Sequence, residues 1–474
     1  MSNIKFGTDG WRAIMCEEFT FNNVRMVVQG IADYVNQEKL QHRGIVVGYD
    51  TRFLAEKFAQ VAVSVLGANG IKVFLVQQAT PTPVTAFAIK DLNAGGAIMF
   101  TASHNPPEYN GIKFIPEYAG PATPEITNQL EKLISAVVNG KPVQSTLFTE
   151  VQTQGMVEYI DPRSNYEAHI ASLVNFQVIR ESKLKLVVDP MYGAGMGYSS
   201  EILRHHGCQV LAIHEHRDPL FGGSLPEPTA AELQELIDLV RSEGAQLGLA
   251  NDGDADRFGV IDADGTYITP NQVIALLLLH LVKNRGYTGG VARSVATTHL
   301  IDAIAAKYDL PVYETPVGFK YIGAKMLSQD VIIGGEESGG LSIKGHIPEK
   351  DGILANLLIA ELRAVEGKNI QQILAQVASE FGEFYNKRLD LHLPEEQKQQ
   401  ILSDLQTNPP AELAGMQVKE VLTIDGIKLN LMDGSWALFR PSGTEPLMRV
   451  YSEAHSTEAL QTLETAVRSL TGLI

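Results

Sequence analysis

Asp252, Asp254 and Asp256 alternate through the segment NDGDADR (251–257). In an extended loop, residues at i, i+2 and i+4 point the same way. Three carboxylates on one side repel each other unless a cation sits among them. Hard oxygen ligands suit Mg²⁺ or a similar ion. A calcium EF-hand loop is the rival pattern, and it fails because its glycine position is Arg257 and its closing glutamate position is Ala263. A solvated acidic turn stays open as the alternative, since Asp and Gly are turn formers. Arg257, placed beside a metal, has the chemistry of a phosphate clamp.

A nucleophile candidate lies in TASHNP (101–106). Ser103 follows an apolar run and precedes His104, Asn105 and two prolines, which prevent a helix and put the serine on a stiff loop. A hydroxyl facing a divalent ion is placed to carry a phosphoryl group; an ordinary Ser/Asx turn is the competing reading. The setting is not GxSxG, which disfavours a hydrolase elbow. NGIKF (110–114) reads as a hairpin tip presenting Lys113, either to a phosphate or to solvent. GEESGG (335–340) offers Glu336 and Ser338, groups suited to paired sugar hydroxyls, or else a helix cap or hinge. RPSGTEP (440–446) sets Arg440 at a strand end before Ser442, Gly443 and Thr444, where small residues let backbone N–H groups approach an anion. A plain turn is the alternative there. GAGMG (193–197) has GxGxG rather than GxGxxG spacing, and it reads as a tight strand-to-helix turn.

These loops need a frame. Three segments open with a β-branched run: GIVVGYD (44–50), LKLVVDP (184–190) and GGVARSV (289–295). Helix-like stretches follow at Ala55–Ala68, Ser199–His206 and His299–Tyr308, then second apolar runs at 71–76, 208–213 and 310–315. Third apolar runs, GGAIMF (95–100), AQLGLA (245–250) and VIIGG (331–335), lead straight into the three polar loops. Alternating strands and helices predict βαβ units with largely parallel sheets. Continuous apolar runs predict strands buried on both faces. Loops beyond the carboxyl ends of such strands are where open α/β sheets place ligands.

The expected fold class is α/β: three related α/β domains with mixed, largely parallel sheets and a C-terminal α+β domain, the three polar loops converging on one site. Expected boundaries are 1–150 (serine loop), 151–265 (acidic loop), 266–376 (sugar-recognition loop) and 377–474 (phosphate-binding domain). In the last, VLTIDGIKLNL (421–431) carries an Asp-Gly hairpin signal.

The 474 residues fit three or four domains at roughly 150 residues each. Lys plus Arg number 38 against 55 for Asp plus Glu, so the formal charge is −17 and no basic nucleic-acid footprint is expected. An anionic substrate must then be held by local Arg, Lys and N–H groups working against the overall field. The two cysteines, Cys16 and Cys208, have no metal or CxxC spacing, and the expectation is a reducing, cytoplasmic compartment. No membrane association is expected. The start has no apolar signal region, and the apolar run Val273–Val282 is too short to span a bilayer and reads as a buried helix.

Together, FGTDGWR (6–12), TASHNP, NDGDADR, GEESGG and RPSGTEP stand in the order found in the α-D-phosphohexomutase family, which the chain resembles along nearly its whole length. The resemblance implies a phosphorylated Ser103, with Mg²⁺ held by its phosphate and by Asp252, Asp254 and Asp256. It implies Glu336 and Ser338 at the sugar hydroxyls, and Arg440, Ser442, Gly443 and Thr444 at the non-reacting phosphate. Arg12, Lys113 and Arg257 match family positions near the reacting phosphate. His104, Lys113 and Lys350 are candidates for the general base. Lys350, in EKDG (349–352), matches a lysine of the glucose-type members. Gly340 stands where bifunctional and glucosamine-type members carry a histidine, and Phe319 and Lys320 in TPVGFK (315–320) stand where the bifunctional type has TGHS. These departures look closer to phosphoglucomutases and to the related sugar-bisphosphate synthases. The expectation is a phosphoglucomutase working through glucose 1,6-bisphosphate, which would also be its activator, as a monomer or homodimer. A glucose 1,6-bisphosphate synthase, a phosphomannomutase, a phosphatase using Ser103 and a non-catalytic phosphosugar-binding protein are the alternatives.

Overall fold

The computed structural model describes residues 4–6, 10–441 and 447–472. The first sheet contains β1 (Trp11–Ile14), β2 (Ile45–Tyr49), β3 (Val73–Val76), β4 (Gly96–Phe100), β5 (Tyr109–Pro116) and β6 (Val157–Ile160), in the order β1-β5-β4-β2-β3-β6. The second contains β7 (Lys185–Asp189), β8 (Gln209–Ala212), β9 (Leu247–Asn251), β10 (Phe258–Asp262) and β11 (Tyr267–Ile268), in the order β11-β10-β9-β7-β8. The third contains β12 (Gly290–Ser294), β13 (Val312–Thr315), β14 (Val331–Gly335) and β15 (Leu341–Ile343), in the order β13-β12-β14-β15.

The repeat read from the sequence is a repeat in space. In each sheet the strand of the third apolar run lies parallel to that of the first, with the second on the other side: β4-β2-β3, β9-β7-β8 and β14-β12-β13. Each third-run strand then turns back into an antiparallel partner, β5, β10 or β15. The TASHNP, NDGDADR and GEESGG loops are these three turns, at the carboxyl ends of the central strands. β4, β9, β12 and β14 are buried at every residue, as helix-covered strands must be.

β16 (Tyr385–His392), β17 (Glu412–Leu413), β18 (Met416–Leu422), β19 (Ile427–Leu431), β20 (Trp436–Pro441) and β21 (Leu447–Ala454) form a wholly antiparallel sheet. The Asp-Gly signal becomes the β18–β19 hairpin. A single apolar cluster runs through the second and third units, from Leu186 and Leu249 to Ile333 and Leu358. The first and last units have cores of their own.

The structure departs from expectation in two places. The first sheet takes in β6, which lies beyond residue 150 and pairs with β3. Lys113 is not at a hairpin tip: it lies inside β5, opposite Met99 of β4, and is buried. The apolar run at 273–282 is the buried helix Pro270–Leu279 with a wider turn after it, and its start is fixed by a Thr269/Gln272 capping box. Among the described residues no helix is long and apolar enough to cross a membrane.

Candidate active site

The serine loop is shaped by a buried arginine that sequence reading missed. Arg52, in the turn after β2, is completely buried. It donates to the carbonyls of Ser103 (2.7 Å), Asn105 (2.6 Å), Pro106 (2.8 Å) and Tyr109 (3.0 Å). Asp50 balances its charge at 3.3 Å, and Phe221 of the second unit lies under the guanidinium. Gathering four carbonyls on one cation bends the loop tightly. Ser103 consequently takes a left-handed conformation (φ 50°), and its N–H is satisfied by Thr101 Oγ1 at 2.8 Å. An Asp-x-Arg turn after a buried strand was the available signal.

The acidic loop meets this loop face to face. Ser103 Oγ donates to Asp252 Oδ2 at 2.8 Å, across 149 residues of sequence. The approach requires glycines: a Cβ on Gly253 would come within 2.6 Å of the Ser103 carbonyl oxygen, and one on Gly193 within 2.8 Å of that of Gly253. The GAGMG turn is thus packed against the acidic loop, and Ala194 N–H donates to the Gly253 carbonyl.

All three aspartates are fully buried, and each offers an oxygen within 4.8 Å of the others. Lys113 Nζ reaches Asp254 Oδ2 (2.9 Å) and Asp256 Oδ2 (3.0 Å), and Lys350 Nζ reaches Asp256 Oδ2 (2.8 Å). Thr82 Oγ1, also missed in the sequence, donates to Asp254 Oδ2 at 2.6 Å. Among the described residues, Asp254 Oδ1 and Asp256 Oδ1 are buried with no hydrogen-bond partner. Buried carboxylate oxygens without donors are costly. The donor set of hard, converging oxygens fits a divalent cation.

Electrostatics separates the carboxylates. Burial, then the charges of Asp254 and Asp256, pushes Asp252 well above the usual carboxylate range. Burial acts on Asp256 in the same sense, but Lys113, Lys350 and Arg257 outweigh it and hold that group below its ordinary value. His104 is lowered by the Arg257 charge, then by burial and by Arg12, so its ring is neutral. Its Nδ1 is 3.4 Å from Ser103 Oγ. Arg12 joins the rim by donating to Asn105 Oδ1 at 2.8 Å. Arg257 N–H binds Asp252 Oδ1, and its guanidinium pairs with Glu227 at 3.1 Å.

The third unit supplies Lys350 and Glu336. Lys350 immediately precedes Asp351, the N-cap of helix Gly352–Glu366, which also accepts from Tyr166 Oη (2.7 Å) and lies 2.9 Å from His346 Nε2. The lysine stem runs past Gly340, where a Cβ would meet its Cδ at 2.5 Å and its Cγ at 2.7 Å. Glu336 is buried and accepts from the N–H of Gly318 at 2.7 Å. Burial, with Glu337 adding to it, pushes its carboxyl up to about 7. Ser338 is exposed in the same loop, and Lys320 lies in the first turn of helix Phe319–Ser328. Arg440 is at the end of β20, directly opposite Arg449 of β21. Asp425 pairs with Arg440 Nε at 2.8 Å, which offsets part of the repulsion between these like charges. Ser442, Gly443 and Thr444 lie outside the described residues, as do Gly7, Thr8 and Asp9 of the first motif.

Residues 3–140 match the phosphoglucomutase/phosphomannomutase alpha/beta/alpha domain I family, 164–265 the domain II family, 269–381 the domain III family and 392–470 the C-terminal domain family. A phosphoglucomutase/phosphomannomutase of Thermococcus kodakarensis is 31% identical over 467 residues, 98% of each chain. The chain belongs to the phosphoglucomutase/phosphomannomutase family. It is a phosphohexomutase, an isomerase that acts by phosphoryl transfer. A "probable phosphoglucosamine mutase" of Pyrococcus furiosus is 32% identical over 467 residues, covering 98% of this chain and 97% of that one. The crystal structure of a "putative phosphomannomutase" from Thermus thermophilus superposes with a TM-score of 0.85 at 33% identity, covering 100% of both chains. The relatives' names differ in the sugar, so kinship reaches the phosphohexomutase reaction and not the hexose.

Proposed function

We propose that the chain is a phosphoglucomutase that interconverts glucose 1-phosphate and glucose 6-phosphate through a phosphorylated Ser103. The observation that carries this reading is the 2.8 Å contact between Ser103 Oγ and Asp252, inside a cluster of three carboxylates and two lysines. Asp252, Asp254, Asp256 and the Ser103 phosphate would hold magnesium. When bound, that ion would neutralise charge on the phosphoryl oxygens.

The phosphoryl group leaves Ser103 Oγ for the 6-hydroxyl oxygen of glucose 1-phosphate. The Oγ–P bond breaks, the O6–P bond forms, and the hydroxyl proton passes through a base to Oγ. His104, Lys113 and Lys350 are the candidate bases. Arg12, Lys113 and Arg257 offset the charge of the reacting phosphate. The resulting glucose 1,6-bisphosphate turns end for end and returns its 1-phosphate to Ser103. Turning needs a second anion site. Arg440 with Ser442, Gly443 and Thr444 supplies it, while Glu336, Ser338 and Lys320 hold the sugar. The close passage of the Lys350 stem over Gly340 supports the glucose-type reading, since a side chain at 340 would displace that lysine.

An activity panel of glucose, mannose and glucosamine 1-phosphates, with magnesium and the matching bisphosphate, tests the proposal. Fastest turnover of glucose 1-phosphate is expected, with one phosphoryl group on Ser103 in the intact mass. Preference for mannose or glucosamine would overturn the sugar assignment. Net accumulation of bisphosphate when an external phosphoryl donor is supplied would mark a synthase.

A further inference from the structure

We infer that Asp425 is a positioning residue that ties the anion-binding arginine of the last unit to the sugar loop of the third. The inference rests on the proposed roles of Arg440 and Glu336. Asp425 lies at the tip of the β18–β19 hairpin, next to Gly426. Gly426 has φ 86°, and a Cβ there would come within 2.2 Å of the Phe439 carbonyl oxygen, so glycine presses the tip against β20 one residue before Arg440. One oxygen of Asp425 then takes two donors. Arg440 Nε donates to Oδ2 at 2.8 Å, and the backbone N–H of Val317 donates to the same atom at 3.0 Å.

Those donors belong to different units. Arg440 ends β20, and Val317 lies in the loop after β13. Val317 also packs on the apolar seam between the units, formed by Val295, Ala296, Trp436, Leu438 and Tyr451. The next residue, Gly318, donates its N–H to Glu336 Oε1 at 2.7 Å. An unbroken path of hydrogen bonds and backbone therefore runs from Arg440 through Asp425, Val317 and Gly318 to Glu336.

The chemistry of the contact suits a positioning role. Engaging Nε leaves the terminal amino groups of the guanidinium as the donors for a phosphate, the edge suited to bidentate recognition. The carboxylate also offsets part of the repulsion between Arg440 and Arg449. A phosphate on Arg440 and a sugar hydroxyl on Glu336 are thereby registered against each other, as a substrate spanning both loops requires.

The test uses the full chain and Asp425→Ala, Asp425→Asn, Arg440→Ala and the Arg440→Ala/Asp425→Ala pair. Steady-state turnover of glucose 1-phosphate gives KM and kcat. Calorimetric titration with glucose 1-phosphate, on a Ser103→Ala background that cannot transfer, gives Kd. Asp425→Ala is expected to raise KM and Kd about tenfold with kcat changed less than about twofold, the signature of lost uniform binding. Asp425→Asn keeps an acceptor for Val317 and guards against a folding defect; the same shift, smaller, is expected. In the Arg440→Ala background the second change should add less than about twofold, because coupled residues are not additive. Unchanged KM and Kd in Asp425→Ala, or a full second loss in the Arg440→Ala background, would overturn the inference. If the unaltered chain binds but does not turn over, the mutase reading fails while the Kd comparison still decides Asp425. No binding by the unaltered chain would overturn both.

Discussion

Replacing Gly340 by alanine isolates Lys350 without touching it. The added methyl would sit 2.5 Å from Lys350 Cδ and 2.7 Å from Cγ. Ordinary carbon contacts start at about 3.5 Å, so the stem must move by roughly 1 Å. The clash is with a flexible side chain, and Gly340 does not have the positive φ that would strain an alanine. Its carbonyl keeps the hydrogen bond from Glu336 N–H at 3.0 Å. The fold should therefore survive while the 2.8 Å Lys350–Asp256 contact is lost. A charge-assisted hydrogen bond in a buried site is worth about 2–3 kcal/mol. At about 1.4 kcal/mol per factor of ten, kcat/KM should fall about 30- to 140-fold. The assay is glucose 6-phosphate formation by a coupled dehydrogenase, with a thermal melt on the same sample. Adding Gly340→Ala to Lys350→Ala should cost little further, because the group that the methyl displaces is already gone. Undiminished kcat/KM, or a multiplicative loss in the double variant, would refute the reasoning.

Ser103→Ala should abolish turnover while leaving the melting temperature nearly unchanged, with no phosphoryl group in the intact mass; residual turnover near that of the unaltered chain would rule out the covalent route. Arg52→Met strips four carbonyls, that of Ser103 buried among them, and the buried Asp50 of their partner. A loss of about 3–5 kcal/mol is expected in urea unfolding, and an unchanged midpoint would contradict the loop-clamping role. Lys428 is buried in the seam between the third and last units, where it donates to the Val295 carbonyl and lies over Trp436. Burial, then the Arg293 charge, lowers its pKa from 10.5 to about 8. Between those values the unfolded chain binds the proton more tightly, so this group's contribution to stability is present at high pH and fades as pH falls through about 8. Relative to Lys428→Met, the unaltered chain should gain about 2 kcal/mol from pH 8 to about 10. A difference that does not vary with pH would refute the shift.

Much of this fold is legible in local pattern. Fully apolar runs become the central strands, and polar loops fall at their carboxyl ends, because burial and turn chemistry act over a few neighbouring residues. The Asp-Gly pair in 421–431 becomes a hairpin for the same reason. The alternation of Asp252, Asp254 and Asp256 likewise needs only local backbone to bring three carboxylates together.

Pairings across the units are decided elsewhere. Lys113 reads as a tip residue, yet it is a strand residue whose ammonium reaches carboxylates 141 and 143 positions away. Thr82 carries no motif of its own; it becomes a site residue because the first and second units are pressed together. Arg52 has only the weak Asp-x-Arg signal, and its role depends on a loop 51 residues further along the chain. Gly340 matters only because another chain segment sends Lys350 through the space its missing side chain leaves. Short-range preference selects elements and loop types by itself. Which buried charge meets which partner depends on desolvation and packing between distant segments, and those terms exist only once the units have docked.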